Sequence, residues 1–153
     1  MITRVSHVGF FVADQEEARR FYTEKLGFEV RTDFTMEGGY WWLTLGLPSQ
    51  PDLEIILMEP KAGPTMDAES ARALRTMVEK GMLGIGVLET DDCRATYEEL
   101  RRRGVEFVAP PEEKPYGIEA VGKDNSGSWF SMTQHTQATA PAQAAGQSGQ
   151  EPG

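Results

Sequence analysis

The sequence predicts an α+β domain in which one βαβββ unit is written twice. Three observations carry this expectation. Residues 6–30, SHVGFFVADQEEARRFYTEKLGFEV, read as strand, capped helix and second strand, and residues 84–108, GIGVLETDDCRATYEELRRRGVEFV, repeat that order of signals. Asp92 stands 78 residues after Asp14 and Gly104 stands 77 after Gly27, so helix starts and stops recur at nearly one interval. Each unit is followed by strand-like runs separated by turn residues. A period near 77 is too long for a solenoid repeat and fits a duplicated half-domain.

In the first unit, Val8, Phe10 and Val12 alternate with His7, Gly9 and Phe11, the period of a strand with two distinct faces. Asp14 then offers a carboxylate to the open amides of a helix start, with Glu17 three residues on. Ala18, Phe21, Tyr22 and Leu26 form its apolar stripe, and Gly27 supplies the positive φ that ends it. Residues 28–34 and 40–46 read as strands joined by a turn at Gly38 and Gly39, and residues 53–58 as a further strand. Alternation groups Trp41, Leu43 and Leu45 on one face, with Trp42 and Thr44 on the other. It groups Leu53, Ile55 and Leu57 against Glu54, Ile56 and Met58.

After the Pro60–Pro64 linker, residues 67–80 read as a helix with Ala71, Leu74, Met77 and Val78 on its apolar side, filling space between the half-domains. The second unit's helix has a thinner stripe of Ala95, Leu100 and the stem of Arg103. Strands are expected near 84–90, 105–109, 118–123 and 128–133, with a hairpin turn at Asp124–Gly127. The expected domain is 1–134: a first module of about 1–60, a linker helix of about 66–81 and a second module of about 83–134. From 135 to 153 the chain is rich in Ala, Gln, Gly and Pro without a large apolar residue, the composition of a disordered tail. His135, at the root of that tail, is expected in solvent.

Composition narrows function. The chain has 153 residues and 17.0 kDa, enough to bury a core without disulfides. A formal net charge of −9 argues against nucleic acid, which needs a basic footprint, and permits a cationic small ligand. No apolar run is long enough for a membrane span, and MITRVSH lacks a secretory pattern. The single Cys93 fits a reducing, cytoplasmic setting. It opens a helix, where a thiolate is stabilised.

Two tandem βαβββ units, with HVGFFVAD near the start, FYTEKLGFEV after it and DNSGSWFSMTQ at the end, resemble the vicinal oxygen chelate superfamily: glyoxalase I, bleomycin resistance proteins and extradiol dioxygenases. The resemblance covers about residues 1–134. It implies two modules that curl a mixed sheet into a cup, with helices outside. In metal-dependent members, ligands come from the first and last strands of each module. The first module places His7 and Glu54 there, both competent ligands. The second places Ile85, 78 after His7, and Ser131, 77 after Glu54, neither of which is one.

The resemblance therefore implies a cup that holds a small aromatic or drug-like molecule with no tightly bound cofactor, although a divalent metal retains two donors. The candidate ligand contacts are Phe11, Trp42, Met58 and Glu89, together with Tyr116, Glu119, Trp129 and Ser131. Glu89 and Glu119 are also the substitute metal donors. The alternative is a metal-dependent lyase, isomerase or dioxygenase using His7 and Glu54 with a rearranged second half-site. A third reading is a metal-free enzyme with His7 and Glu54 as an acid/base pair. A homodimer is expected, because half-cups with open strand edges need cover.

Overall fold

A computed structural model describes residues 1–136 of the chain. The first sheet contains β1 (His7–Phe11), β2 (Glu29–Thr35), β3 (Trp41–Gly46) and β4 (Glu54–Met58), in the order β1-β4-β3-β2. The second contains β5 (Gly84–Glu89), β6 (Glu106–Lys114), β7 (Gly117–Lys123) and β8 (Trp129–His135), in the matching order β5-β8-β7-β6. In each sheet only the first and last strands run parallel. The expected α+β architecture of two tandem βαβββ modules is present.

The helices begin as the capping residues dictate. Asp14 Oδ1 accepts from the Glu17 amide at 2.8 Å to open α1 (Gln15–Arg20), and Asp92 Oδ1 accepts from the Ala95 amide at 3.0 Å to open α3 (Cys93–Arg102). Asp67 caps the intervening α2 (Ala68–Glu79) in the same way. Gly27 at φ +82° and Gly104 at φ +84° take the left-handed conformation that closes the two module helices. The first helix loosens into a π-helical turn over Phe21–Lys25, which periodicity did not foreshadow.

Side-chain alternation sorts the core. Val12, just past β1, and Leu43, Leu45, Ile55 and Leu57 from the first sheet join Ala120, Phe130 and Met132 from the second in one apolar cluster. Ala18, Phe21 and Tyr22 of the first helix and Cys93 and Leu100 of α3 belong to the same cluster. Truncating the fully buried Phe130 to Ala is expected to cost about 3–5 kcal/mol. Polar ties cross between the modules: Tyr22 donates its hydroxyl to Asp124 at 3.0 Å, and Arg103 Nη1 donates to the Lys25 carbonyl at 3.0 Å.

Several expectations need correction. Ala95 is exposed; the inner side of α3 carries Cys93, Thr96, Tyr97 and Leu100, one residue step round the helix. Met77 is exposed on α2. The strand expected at 105–109 continues through Pro110 and Pro111 to Lys114. It lies at the sheet edge, and its pairing with β7 is interrupted on both sides of Ala109, so the missing proline N–H groups break no ladder in the interior. His135 is the last residue of β8, not part of a tail; its side chain is 23% exposed and its Nδ1 lies 3.7 Å from Glu89 Oε2. The expected disordered tail, from 137 on, lies outside the described residues.

Candidate functional site

The faces that turn away from the shared core carry the polar residues. On the first sheet, β1 and β4 run side by side with His7 opposite Glu54 and Phe11 opposite Met58. His7 Nε2 lies 3.3 Å from Glu54 Oε2, and the same oxygen accepts the Thr44 hydroxyl at 2.5 Å. His7 Nδ1 contacts Ser6 Oγ at 3.0 Å, and its ring centroid lies 6.1 Å from that of Trp42. The strand carboxylate at Glu54 thus has two partners and remains 25% exposed, which relieves the burial cost that its apolar neighbours impose.

The second sheet carries a hydroxyl–carboxylate chain. Ser131 donates to Glu119 Oε2 at 2.6 Å, Tyr116 donates to Glu119 Oε1 at 3.0 Å, and the Thr133 hydroxyl lies 2.8 Å from Ser131 Oγ. Because Ser131 spends its one proton on Glu119, Thr133 is the donor in that last contact. Glu89 pairs in register with Thr133, and Trp129 with Lys123 and Gly84. Trp129 is 44% exposed and its ring fills the space where a Cβ on Gly84 would stand.

Register corrects the expected second half-site. Between Gly84 and Val87 the β5–β8 pairing slips by one residue, with Gly86 at φ +111°. Val87 therefore stands opposite Ser131, as His7 stands opposite Glu54, and Ile85 turns inward to pack on the core. A constant offset of 78 could not register this extra residue.

The candidate residues fall into two groups. His7 contacts Glu54 and Trp42 on the first sheet, and Glu119 contacts Ser131 and Tyr116 on the second. As a metal centre, this donor set does not fit. His7 and Glu54 are two donors that engage each other, Val87 supplies none, and Ser131 gives its proton to Glu119. Among the described residues no three His, Cys, Asp or Glu side chains cluster to hold an ion. Cys93 is buried, which pushes its thiol pKa up, and its Sγ donates to the Met132 carbonyl, so the expected thiolate stabilisation is absent.

Where β1 and β4 end and β3 begins, the first sheet opens into a recess of about 340 Å³. Phe11, Tyr40, Trp41 and Met58 wall it, the glycine turn at Gly38 and Gly39 forms one lip, and the linker from Lys61 to Met66 forms another. A short bridge between Gly63 and Met66 folds that linker back on itself. Lys61 pairs with Glu59 at 2.9 Å, so the two charges at this lip offset one another. Gln15 lies in the wall as well. The sequence reading missed it, although it sits three residues before Ala18 and seven before Tyr22, on the buried stripe where a polar side chain must find partners.

Residues 4–132 match the family described as Glyoxalase/Bleomycin resistance protein/Dioxygenase superfamily. The chain belongs to that superfamily. Within it, the solved structure of UcmS2 is similar at 47% identity and a TM-score of 0.80, covering 87% of this chain and 98% of the other. The structure of TnmS3, described as an antibiotic binding protein from Streptomyces sp. CB03234, is similar at 29% identity and a TM-score of 0.68, covering 88% and 98%. The uncharacterised protein YurT of Bacillus subtilis (strain 168) is 32% identical over 124 residues, 81% of this chain and 93% of its own. The superfamily joins proteins of different chemistries, and a shared fold does not fix which of them a member performs.

Proposed function

We propose that this chain is a binding protein for a small, flat organic molecule, held at the first sheet without a tightly bound metal and in a homodimer. The recess beside Phe11 and Met58 carries the reading. Its volume of about 340 Å³ lies within the range of small-ligand sites, and Phe11, Tyr40, Trp41, Met58 and Met66 give it aromatic and thioether surface beside the polar side chains of Gln15, Glu59, Lys61 and Thr65. Flat rings stack on such walls and methionine adapts to their outline. The likeness to an antibiotic-binding relative supports the same reading. The homodimer is supported by the outward faces of the two sheets: each offers half of an enclosure, and a second copy can supply the other half. Trp42, Glu54, Glu89, Tyr116, Glu119, Trp129 and Ser131 are then contacts of the completed enclosure, with Phe11 and Met58 at its recessed end.

The test uses 2-naphthol as a flat aromatic probe, titrated into the wild-type chain and into Phe11→Ala. Saturable binding that weakens about tenfold in Phe11→Ala supports the reading. Absence of saturable binding, or equal affinity for both proteins, contradicts it.

The contact between His7 and Glu54 favours a second reading, a lyase or isomerase in which a carboxylate-paired imidazole moves a proton. Turnover abolished by His7→Ala, with binding retained, would establish it over simple binding.

A further inference from the structure

Gln15 is the first residue of α1, yet its side chain points inward and is only 6% exposed. Its Nε2 donates to two backbone carbonyls, Leu57 at 2.8 Å on β4 and Trp41 at 3.1 Å on β3. Both amide protons are thereby committed. Turning the amide over would set an oxygen against two carbonyl oxygens, so the hydrogen bonds fix which atom faces where. The remaining atom, Oε1, accepts from none of the described residues, and it is not among the buried polar atoms sealed away without a partner. The cavity that Gln15 lines is the recess walled by Phe11 and Met58.

We infer that Gln15 Oε1 is a fixed hydrogen-bond acceptor in the wall of the recess, and that it selects neutral, flat aromatic ligands that carry an O–H or N–H donor at the ring edge. This rests on the reading of the recess as the ligand site. Each part of that ligand follows from the wall. Phe11, Tyr40 and Met58 offer apolar surface to a ring. Glu59 and Lys61 pair with each other, which leaves the lip without a net charge to recruit an ion. An acceptor in a mostly apolar wall costs free energy when a ligand covers it without donating, and this penalty falls on any ligand that lacks the proton. Gln15 thus discriminates twice, by gaining a bond with the right ligand and losing solvent with the wrong one.

The probe pair is 2-naphthol and 2-methoxynaphthalene, which share a ring system and differ in the donor. Their affinities are measured by NMR titration on the wild-type chain, on Phe11→Ala and on Gln15→Met, which keeps the side chain's length and removes its acceptor. The expected result is a preference of about tenfold or more for 2-naphthol in the wild type, on the scale of one hydrogen bond to a buried acceptor. Phe11→Ala weakens both probes and preserves the preference, whereas Gln15→Met abolishes it. Equal affinities of the two probes for the wild type, with both weakened by Phe11→Ala, overturn the inference and leave the recess as a ligand site. Failure of both probes to bind overturns the recess and the inference together. If Gln15→Met does not fold, the wild-type pair alone still decides the preference.

Discussion

Ser131 on β8 donates to Glu119 on β7 at 2.6 Å, and the pair occupies the places that Glu54 and Thr44 occupy in the first sheet, with hydroxyl and carboxylate exchanged. Thr44 stands opposite Ile56 and Glu119 opposite Thr133; in both sheets the bond runs to the residue two before that partner. Each sheet thus pairs a carboxylate with a hydroxyl across its two middle strands, with the two groups on exchanged strands. An O–H donating to a carboxylate at this distance is a charge-assisted bond, stronger than a neutral one. It also occupies lone pairs that a metal would otherwise take.

Replacing Thr44 by Val keeps the shape of a fully buried side chain and removes the donor to Glu54. The expected loss is about 1–2 kcal/mol, read from urea unfolding. An unchanged midpoint would show that the bond adds nothing to the fold.

Asp124 gives the fold a pH dependence of defined sign. Burial raises its pKa above the ordinary 3.8, and this outweighs the hydrogen bonds from Tyr22 and from the Ser126 and Ser128 amides. The folded chain therefore holds that proton more tightly than the unfolded chain. The resulting penalty is absent below the unfolded value, grows as pH rises, and is complete above the raised folded value. Asp124→Asn removes it, so the stability of the variant minus that of the wild type should increase with pH through this window. Urea midpoints for both proteins from about pH 3.5 to 7 measure it. A difference that stays flat or shrinks would reverse the assigned direction.

The donor set predicts weak metal binding. Protein purified without chelators and dialysed should retain well under one equivalent of zinc, nickel, manganese or iron by elemental analysis. Stoichiometric metal that His7→Ala abolishes would contradict this, and would point to donors contributed by a second copy.

Light scattering at micromolar concentration should give about twice the 17.0 kDa chain mass. A value matching a single chain would leave both outer faces as open half-sites and remove the homodimer from the account.

Much of the fold was legible because its signals are local. Asp14, Asp92, Gly27 and Gly104 announce helix ends through their own chemistry, and alternation along 41–45 and 53–58 sorts inner from outer faces. The site was less legible because its geometry depends on pairing between distant segments. The extra residue at Gly86 moves Ile85 inward and brings Val87 beside Ser131, and no offset counted along the chain reveals a slip in strand register. Alternation also could not say that the apolar faces of both sheets contribute to one core. Gln15 went unread because its partners are carbonyls 26 and 42 residues away.

The central claim, that a flat organic molecule is held at the end of the first sheet, is tested most directly by mapping amide and methyl shifts during a 2-naphthol titration of isotope-labelled protein. The account predicts saturable shifts concentrated at Phe11, Gln15, Tyr40 and Met58, with little change at Val8, Ile85 and Leu88 in the apolar groove between β1 and β5. Shifts concentrated in that groove, or none that saturate, would contradict it.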